Sequence, residues 1–331
     1  MINSLRLGYP CTNETLGKKN IKVTYTCRYA TYKEKGVDYL KSLATKNLEN
    51  MIQILEWNIK NNITLYRVYS DMFPHITNTK TDSNLYTLDF ALPLLHKIGE
   101  IAIKNKIRLT MHATEFCHLS SENEATRNKT IKELNFYCDL LCNIFKNQPN
   151  WYKALPKECK PLIILHVGTI KPSKHEAMER WIAAYKTLNP ILQKLIVVEN
   201  DEFNYSPQDI LPTICEPLNI PLIFDVFHFS INYGFHVLHA SKQELRDMKV
   251  EALQDILPRI LNTWTRRGLI PKFHLSEQQP KARVGTHGDT ISHIPEFFLN
   301  AGKYMQLDVM LETKNKELSV LKMIKKHGSY K

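Results

Sequence analysis

Six apolar runs of this 331-residue chain stop at a histidine or a carboxylate. They are LTMH ending at His112, IILH at His166, IVVE at Glu199, LIFD at Asp225, KFH at His274 and VMLE at Glu312. Two more histidines follow such ends closely, His228 in DVFH and His287 in GTHGD. One histidine at the end of an apolar run is ordinarily a hydrogen-bonded structural residue. The repeated pattern is different, because buried Asp, Glu and His cost free energy unless they are paired. Brought to one place, these side chains repel or desolvate one another unless cations lie between them. Divalent ions remove that conflict, since carboxylate and neutral imidazole are their natural ligands. Five histidines and three carboxylates exceed what one ion can use, so two or three ions bridged by Glu199 or Glu312 are expected. The lack of cysteine in the set disfavours a structural zinc site and suits Mn, Mg, Co or catalytic Zn.

Lys272 and His274 are two residues apart on one run, so a strand would point both to the same face. Two readings of Lys272 follow. Either its charge orients a carboxylate or a phosphate, or the amine is carbamylated and becomes an anionic ligand for two metals.

The elements that must position these residues are short strands and amphipathic helices in alternation. Strands are expected near Leu5–Tyr9, Ile63–Tyr69, Arg108–His112, Leu162–Val167, Leu195–Glu199, Leu222–Val226, Pro271–Leu275 and Leu307–Glu312. Helical spacing follows them: Leu48, Met51, Ile52, Leu55 and Ile59 first, then Leu85–Lys104, Ala125–Phe145, Lys174–Leu188, Pro207–Leu218, Lys242–Thr265, Ile291–Asn300 and Lys316–Lys325. Continuous apolar runs such as Leu162–Leu165 fit parallel strands covered on both faces. Eight such units predict an α/β fold, a single-domain (β/α)8 TIM barrel with its chemistry at the carboxyl ends of the strands. A doubly wound sheet shares the alternation, but no glycine-rich phosphate loop follows the first strand. The barrel is expected to occupy residues 1–325, with a short polar tail over 326–331.

Composition sets the outer bounds. With 43% hydrophobic residues and only 11 Gly and 16 Pro, the chain is neither disordered nor collagen-like. Seven cysteines without a CxxC pair, Cys138 and Cys142 among them, read as reduced core thiols. No secretory signal is read at Met1–Pro10, and no run approaches the length of a transmembrane helix. The 44 Lys and Arg against 33 Asp and Glu give a net +11, which favours polyanionic partners, nucleic acid before membrane.

The stretches LRLGYPCTNETL, ITLYRVYSDMFPH, LTMH, LIILHVGT, VVENDE, LIFDVFH, KFHLSEQ and VMLETKNKE, in that order, resemble the UV damage endonuclease family. The resemblance runs from about Leu5 to Lys322. It implies a TIM barrel with up to three divalent metals, usually manganese. It also implies incision of DNA immediately 5′ to UV photoproducts, and in some members at abasic sites, leaving a 3′ hydroxyl and a 5′ phosphate. By position, the family's ligands fall on His112, His166, Glu199, Asp225, His228, His274, His287 and Glu312. Its modified lysine falls on Lys272, and its lesion-side tyrosine and asparagine on Tyr9 and Asn13. Lys272, Glu199 and Glu312 are the residues expected to carry the catalysis.

Three departures stand out. Where the family commonly reads His-Pro-Gly-Gln-Tyr after the third strand, this chain has His112-Ala113-Thr114-Glu115-Phe116. Phe116 keeps a ring for stacking without the phenol hydroxyl, and Glu115 replaces a neutral amide with a carboxylate. Asn78 stands where family members often carry a histidine.

Tyr69 is a further aromatic at the mouth and is read as an ordinary rim residue. Arg67, Lys281 and Arg283 are candidates to hold phosphates. His236 and His239 are spaced like a metal pair but lie at no strand end. His112 to His118 with Cys117 lacks the paired cysteines of a zinc cluster, and no Gly-x-Ser-x-Gly elbow is present. The alternatives to a photoproduct endonuclease are an abasic-site enzyme resembling endonuclease IV, a sugar-phosphate isomerase and a non-catalytic lesion binder. A monomer acting on double-stranded DNA is expected, cytoplasmic and nucleoid-associated in a prokaryote, with no membrane partner.

Overall fold

The computed structural model describes residues 5–78, 85–146, 150–232 and 250–327. Eight strands run in parallel: β1 (Leu5–Pro10), β2 (Leu65–Arg67), β3 (Arg108–His112), β4 (Leu162–His166), β5 (Ile196–Glu199), β6 (Leu222–Asp225), β7 (Lys272–Leu275) and β8 (Leu307–Leu311). Each pairs with the next, and β1 pairs with β8, so the sheet closes into a barrel. The expected TIM barrel is the observed one. β1 and β2 approach so closely that a Cβ at Gly8 would overlap Leu65, which is why the position carries no side chain.

Helices cover the outer face. The longest stretch, Tyr29–Lys60, holds the predicted Leu48–Ile59 stripe and extends well before it, with a break at Gly36 where φ is 77°. Leu92–Lys104, Glu124–Ile144, Lys174–Thr187 and Val250–Thr265 follow the expected helices. Local chemistry sets their starts: Asn123 and Ser173 accept backbone N–H bonds from Thr126 and Glu176, each three residues on. The strands beneath are buried on both faces; Leu162–Leu165 and Ile196–Val198 are all within 1% of full burial.

Some boundaries differ from expectation. β2 ends at Arg67 instead of Tyr69. The helix expected from Ile291 begins at Glu296, after Pro295, whose ring removes a donor and favours a helix start. The last helix runs to His327, so Lys326 and His327 belong to it and not to a tail. His236 and His239 lie outside the described residues, as do 328–331. Among the described residues, no helix is long and apolar enough to cross a membrane.

Candidate metal centre

At the carboxyl ends of the strands, three groups of side chains bring ligand atoms within 4.8 Å of one another: His112, His166 and Glu199; Glu199, His274 and Glu312; Glu199, Asp225 and His228. Glu199 belongs to all three. Its Oε2 lies 3.0 Å from His112 Nε2 and 3.9 Å from His166 Nε2. Its Oε1 lies 2.6 Å from His274 Nδ1 and 3.8 Å from His228 Nδ1. His274 Nδ1 is also 3.1 Å from Glu312 Oε1. The two oxygens of one carboxylate therefore face different partners, the geometry a bridging ligand needs.

Backbone chemistry aims these side chains. Asp225 ends β6 and caps the short helix Val226–Asn232, which the sequence pattern did not signal; its Oδ1 accepts N–H bonds from Phe227 (2.7 Å) and His228 (2.9 Å). The helix turn carries His228 back over the mouth, while Asp225 Oδ2 is left with no hydrogen-bond partner. Asn200, next after Glu199, ties β5 to β6 through its amide, donating to Asp225 O (3.0 Å) and accepting from Asp225 N (2.9 Å). Three imidazoles lie with Nδ1 against backbone carbonyls: His112 on Ala113 (2.7 Å), His228 on Asn200 (3.1 Å) and His287 on Glu312 (2.6 Å). His112, held through Nδ1, turns its Nε2 to Glu199, the usual orientation of a metal ligand, whereas His228 has Nδ1 nearest Glu199 and Asp225 and Nε2 toward Glu202. His287 stands beside the cluster, its ring centroid 6.2 Å from that of His228, and is in none of the three groups.

The electrostatics are those of an anionic site wrapped in imidazole. Burial, then the neighbouring Glu312 and Asp225 charges, push Glu199 well above the usual carboxylate range. Burial also acts upward on Glu312, but the Arg67 guanidinium outweighs it and holds the carboxyl well below its usual range. Burial and Arg67 lower His112 to about 3, and burial with His112 and His228 drives His166 down, so both rings are neutral. His228 alone is raised, to about 9, because four carboxylates led by Asp225 overcome its burial. Buried Asp225 Oδ2 and His166 Nδ1 are without hydrogen-bond partners. Orphaned acceptors, neutral imidazoles and a carboxylate short of positive charge fit divalent cations.

Lys272 is fully buried one layer deeper, its Nζ in contact with His274 Nε2. Burial and then Arg67 lower its ammonium well below the usual value. Arg67 is not at the rim as a phosphate holder. It is buried, bonded through Nη2 to Glu312 and 3.0 Å from His274 Nε2. The error came from the β2 boundary: with the strand ending at Arg67, the strand-end rule itself selects it. Glu202, whose carboxylate is 3.7 Å from His228 Nε2, was also passed over.

Tyr9 and Asn13 lie beneath the mouth, buried, with the Tyr9 hydroxyl donating to Asn58 Oδ1 (2.7 Å) and accepting from Asn13 Nδ2 (2.9 Å). Glu115 and Phe116 are exposed on the loop after β3, and Lys281 and Arg283 on the loop after β7. Asn78 bonds His75 at 3.0 Å and, with half-buried Tyr69, lines a cavity between the loops after β2 and β3. Cys138 and Cys142 are buried free thiols, as expected.

Residues 5–331 match the family described as UV-endonuclease UvdE. A relative from Acanthamoeba polyphaga mimivirus is 34% identical, with 98% of this chain and 92% of that protein aligned. The UV-damage endonuclease of Schizosaccharomyces pombe is 32% identical over 97% of this chain, which spans 50% of the fungal protein. The UV DNA damage endonuclease of Clostridium perfringens is 32% identical, covering 97% of this chain and 70% of its own. Fungal, bacterial and viral relatives together favour no one cellular compartment. Among solved structures, SacUVDE superposes with a TM-score of 0.77 at 30% identity, with 97% of each chain covered. Endonuclease IV of Thermus thermophilus shares the fold, at a TM-score of 0.52 and 14% identity over 93% of this chain and 92% of its own. The chain belongs to the UV-damage endonuclease family.

Proposed function

We propose that this protein incises duplex DNA immediately 5′ to cyclobutane pyrimidine dimers and 6-4 photoproducts, leaving a 3′ hydroxyl and a 5′ phosphate, as a metal-dependent phosphodiesterase. The observation that carries the reading is Glu199, one buried carboxylate shared by three ligand groups. His112, His166, Glu199, Asp225, His228, His274, His287 and Glu312 would hold two or three divalent ions, manganese first, with Mg, Co and Zn as the other candidates. Such ions supply charge neutralisation of a phosphodiester and acidification of water. The chain's own part is positioning. Glu199 presents its oxygens to separate partners, Arg67 fixes Glu312, and Asn200 fixes Asp225.

Lys272 touches His274 and sits among Arg67, Glu199 and Glu312, where a neutral amine is favoured. That is the state that adds carbon dioxide, so Lys272 is the site proposed for carbamylation. Native mass distinguishes this from a plain orienting role by the gain of one carbon dioxide. Phe116, exposed on its loop, would stack at the lesion with Glu115 beside it. Photoproducts pair poorly, so opening the helix there costs less than at normal bases. Tyr9 and Asn13 would brace that side from below. The acting species is proposed to be a monomer.

The test is nicking of UV-irradiated supercoiled plasmid with Mn²⁺, with EDTA, and beside an unirradiated control. Manganese-dependent nicking of the irradiated plasmid alone is expected. Equal nicking of both plasmids removes lesion specificity, nicking only of depurinated plasmid moves the assignment to abasic sites, and binding without nicking under any metal leaves a lesion binder.

A further inference from the structure

Three loops on the metal-bearing face each hold one apolar side chain out in water: Phe116 after β3 (65% exposed), Ile170 after β4 (39%) and Phe203 after β5 (63%). β3, β4 and β5 are consecutive neighbours in the barrel, so these loops lie side by side along one edge of the mouth. Half of the exposed large hydrophobic side chains among the described residues sit in this row. The concentration calls for a cause, because scattered single ones do not.

The backbone at Phe203 is tied into its loop. Asp201 Oδ1 accepts backbone N–H bonds from Phe203 (2.9 Å), Tyr205 (3.2 Å) and Asn204. The buried Tyr205 then donates its hydroxyl to Thr169 O (2.8 Å), and Asn204 Nδ2 donates to Gly168 O (3.1 Å). The loops after β4 and β5 are thereby stitched into one unit. Within it, Glu202 faces His228 of the candidate centre while its neighbour Phe203 faces solvent.

The charge around the row suits nucleic acid. Exposed Lys129 lies with Nζ 6.0 Å from the Phe116 ring centroid, and Lys171 and Lys174 are exposed beside Ile170. Lys174 also pairs with Asp209 at 2.9 Å, and exposed Glu115 opposes them, so the lysines steer more weakly than their number suggests. The apolar faces of opened base pairs are the surface that meets a rigid aromatic next to phosphate-seeking lysines and a phosphodiester-cutting centre.

We propose that Phe203 is a second DNA-contacting aromatic, stacking on bases across the β4 loop from Phe116, with Ile170 packing between them, so that the row keeps the duplex open along the incision site. This rests on the endonuclease reading above. Phe203 is in none of the three ligand groups, so its role is to position DNA.

The experiment uses a duplex with one photoproduct and 2-aminopurine beside it, with binding followed by anisotropy in Ca²⁺ and incision in Mn²⁺. Phe203→Ala is expected to weaken binding about ten-fold, the scale of one base–aromatic stack, to lower the 2-aminopurine signal, and to raise KM more than it lowers kcat. Phe203→Trp should keep all three near wild type, and Asp201→Ala, which removes the acceptor of the three backbone N–H bonds and so loosens the loop, should show part of the loss. Because Phe203 is exposed, its variants should unfold at the wild-type temperature. Wild-type affinity and 2-aminopurine signal in Phe203→Ala, with the wild type nicking irradiated plasmid, would overturn this inference alone. A wild type that neither binds nor nicks irradiated DNA would overturn it together with the proposed function.

Discussion

At the amino-terminal end of the barrel Asp308 lies between two arginines; at the carboxyl-terminal end Glu199 lies among imidazoles and other carboxylates. Both are buried. Asp308 takes a two-pronged pair from Arg6 (2.6 and 2.7 Å) and a third bond from Arg108 (2.8 Å). The arginines are bonded in turn to backbone carbonyls of Lys106, Glu158, Lys160 and Ile270. Burial raises the Asp308 carboxyl, yet the two guanidinium groups outweigh it and hold the acid below its ordinary value. Glu199 goes the other way, because its neighbours add negative charge. One end carries its counter-charge in the sequence, whereas at the other Arg67 pairs with Glu312 and Glu199 is left in three groups that could hold a cation. This is the division expected of a parallel barrel, with stability at one end and chemistry at the other.

The sharpest way to break the comparison is to remove Asp308. Asp308→Asn keeps the shape and leaves two buried guanidinium groups facing an amide. Stability should fall by about 3–5 kcal/mol, read as a lower unfolding temperature, with incision per folded molecule unchanged. The pH dependence has a definite sign. Because Asp308 is depressed in the folded state, its contribution is complete above the unfolded value of about 3.9 and is lost as pH falls through the folded one. The gap between wild type and Asp308→Asn should therefore close toward acid. A gap that widens there would mean the triad is not what holds this end.

The two ends were not equally legible. Glu199, Asp225 and Glu312 stood out because each closes an apolar run, where a charge is conspicuous. Arg6, Arg108 and Asp308 lie at or near the start of their strands, and a charge there reads as the edge of a loop until the barrel closes and turns it inward. Arg67 reads as a phosphate holder instead of a partner of Glu312 because apolar character continues through Val68 and Tyr69 after the strand's hydrogen bonds have stopped. His228 was found from its nearness to Asp225, but the helix that aims it was not, since a seven-residue segment is too short for a periodicity to register. The burial of Tyr9 and Asn13 depends on Asn58, 49 residues beyond Tyr9 on a helix, and no local pattern carries such a contact.

Glu199→Gln should behave as the mirror of Asp308→Asn. Partners that merely orient metal ligands cost about 10–100-fold when mutated, so loss of the shared carboxylate should cut incision by more than about 100-fold. Stability in EDTA should not fall. A carboxyl raised in the folded state binds its proton more tightly there, so stability declines as pH rises from about 4.3 toward the folded value. The amide removes that penalty, and above this window Glu199→Gln should unfold no lower than wild type. A large drop in unfolding temperature would make Glu199 a structural residue like Asp308.

The smallest of these effects tests directly whether the carboxyl-terminal end receives charge from solution. A ligand that binds only the folded state stabilises it by RT ln(1 + [L]/Kd), about 1.4 kcal/mol when free metal is ten times Kd. For a chain of this size that is a rise of a few degrees in Tm. EDTA-treated wild type titrated with Mn²⁺ should show such a rise, and Asp308→Asn should show the same increment from its lower starting point, because its altered carboxylate is at the far end of the barrel. Glu199→Gln should lose most of it, since all three ligand groups share that residue. Equal increments in all three proteins would place the metal effect somewhere other than this cluster. An increment lost in Asp308→Asn but kept in Glu199→Gln would reverse the assignment of the two ends.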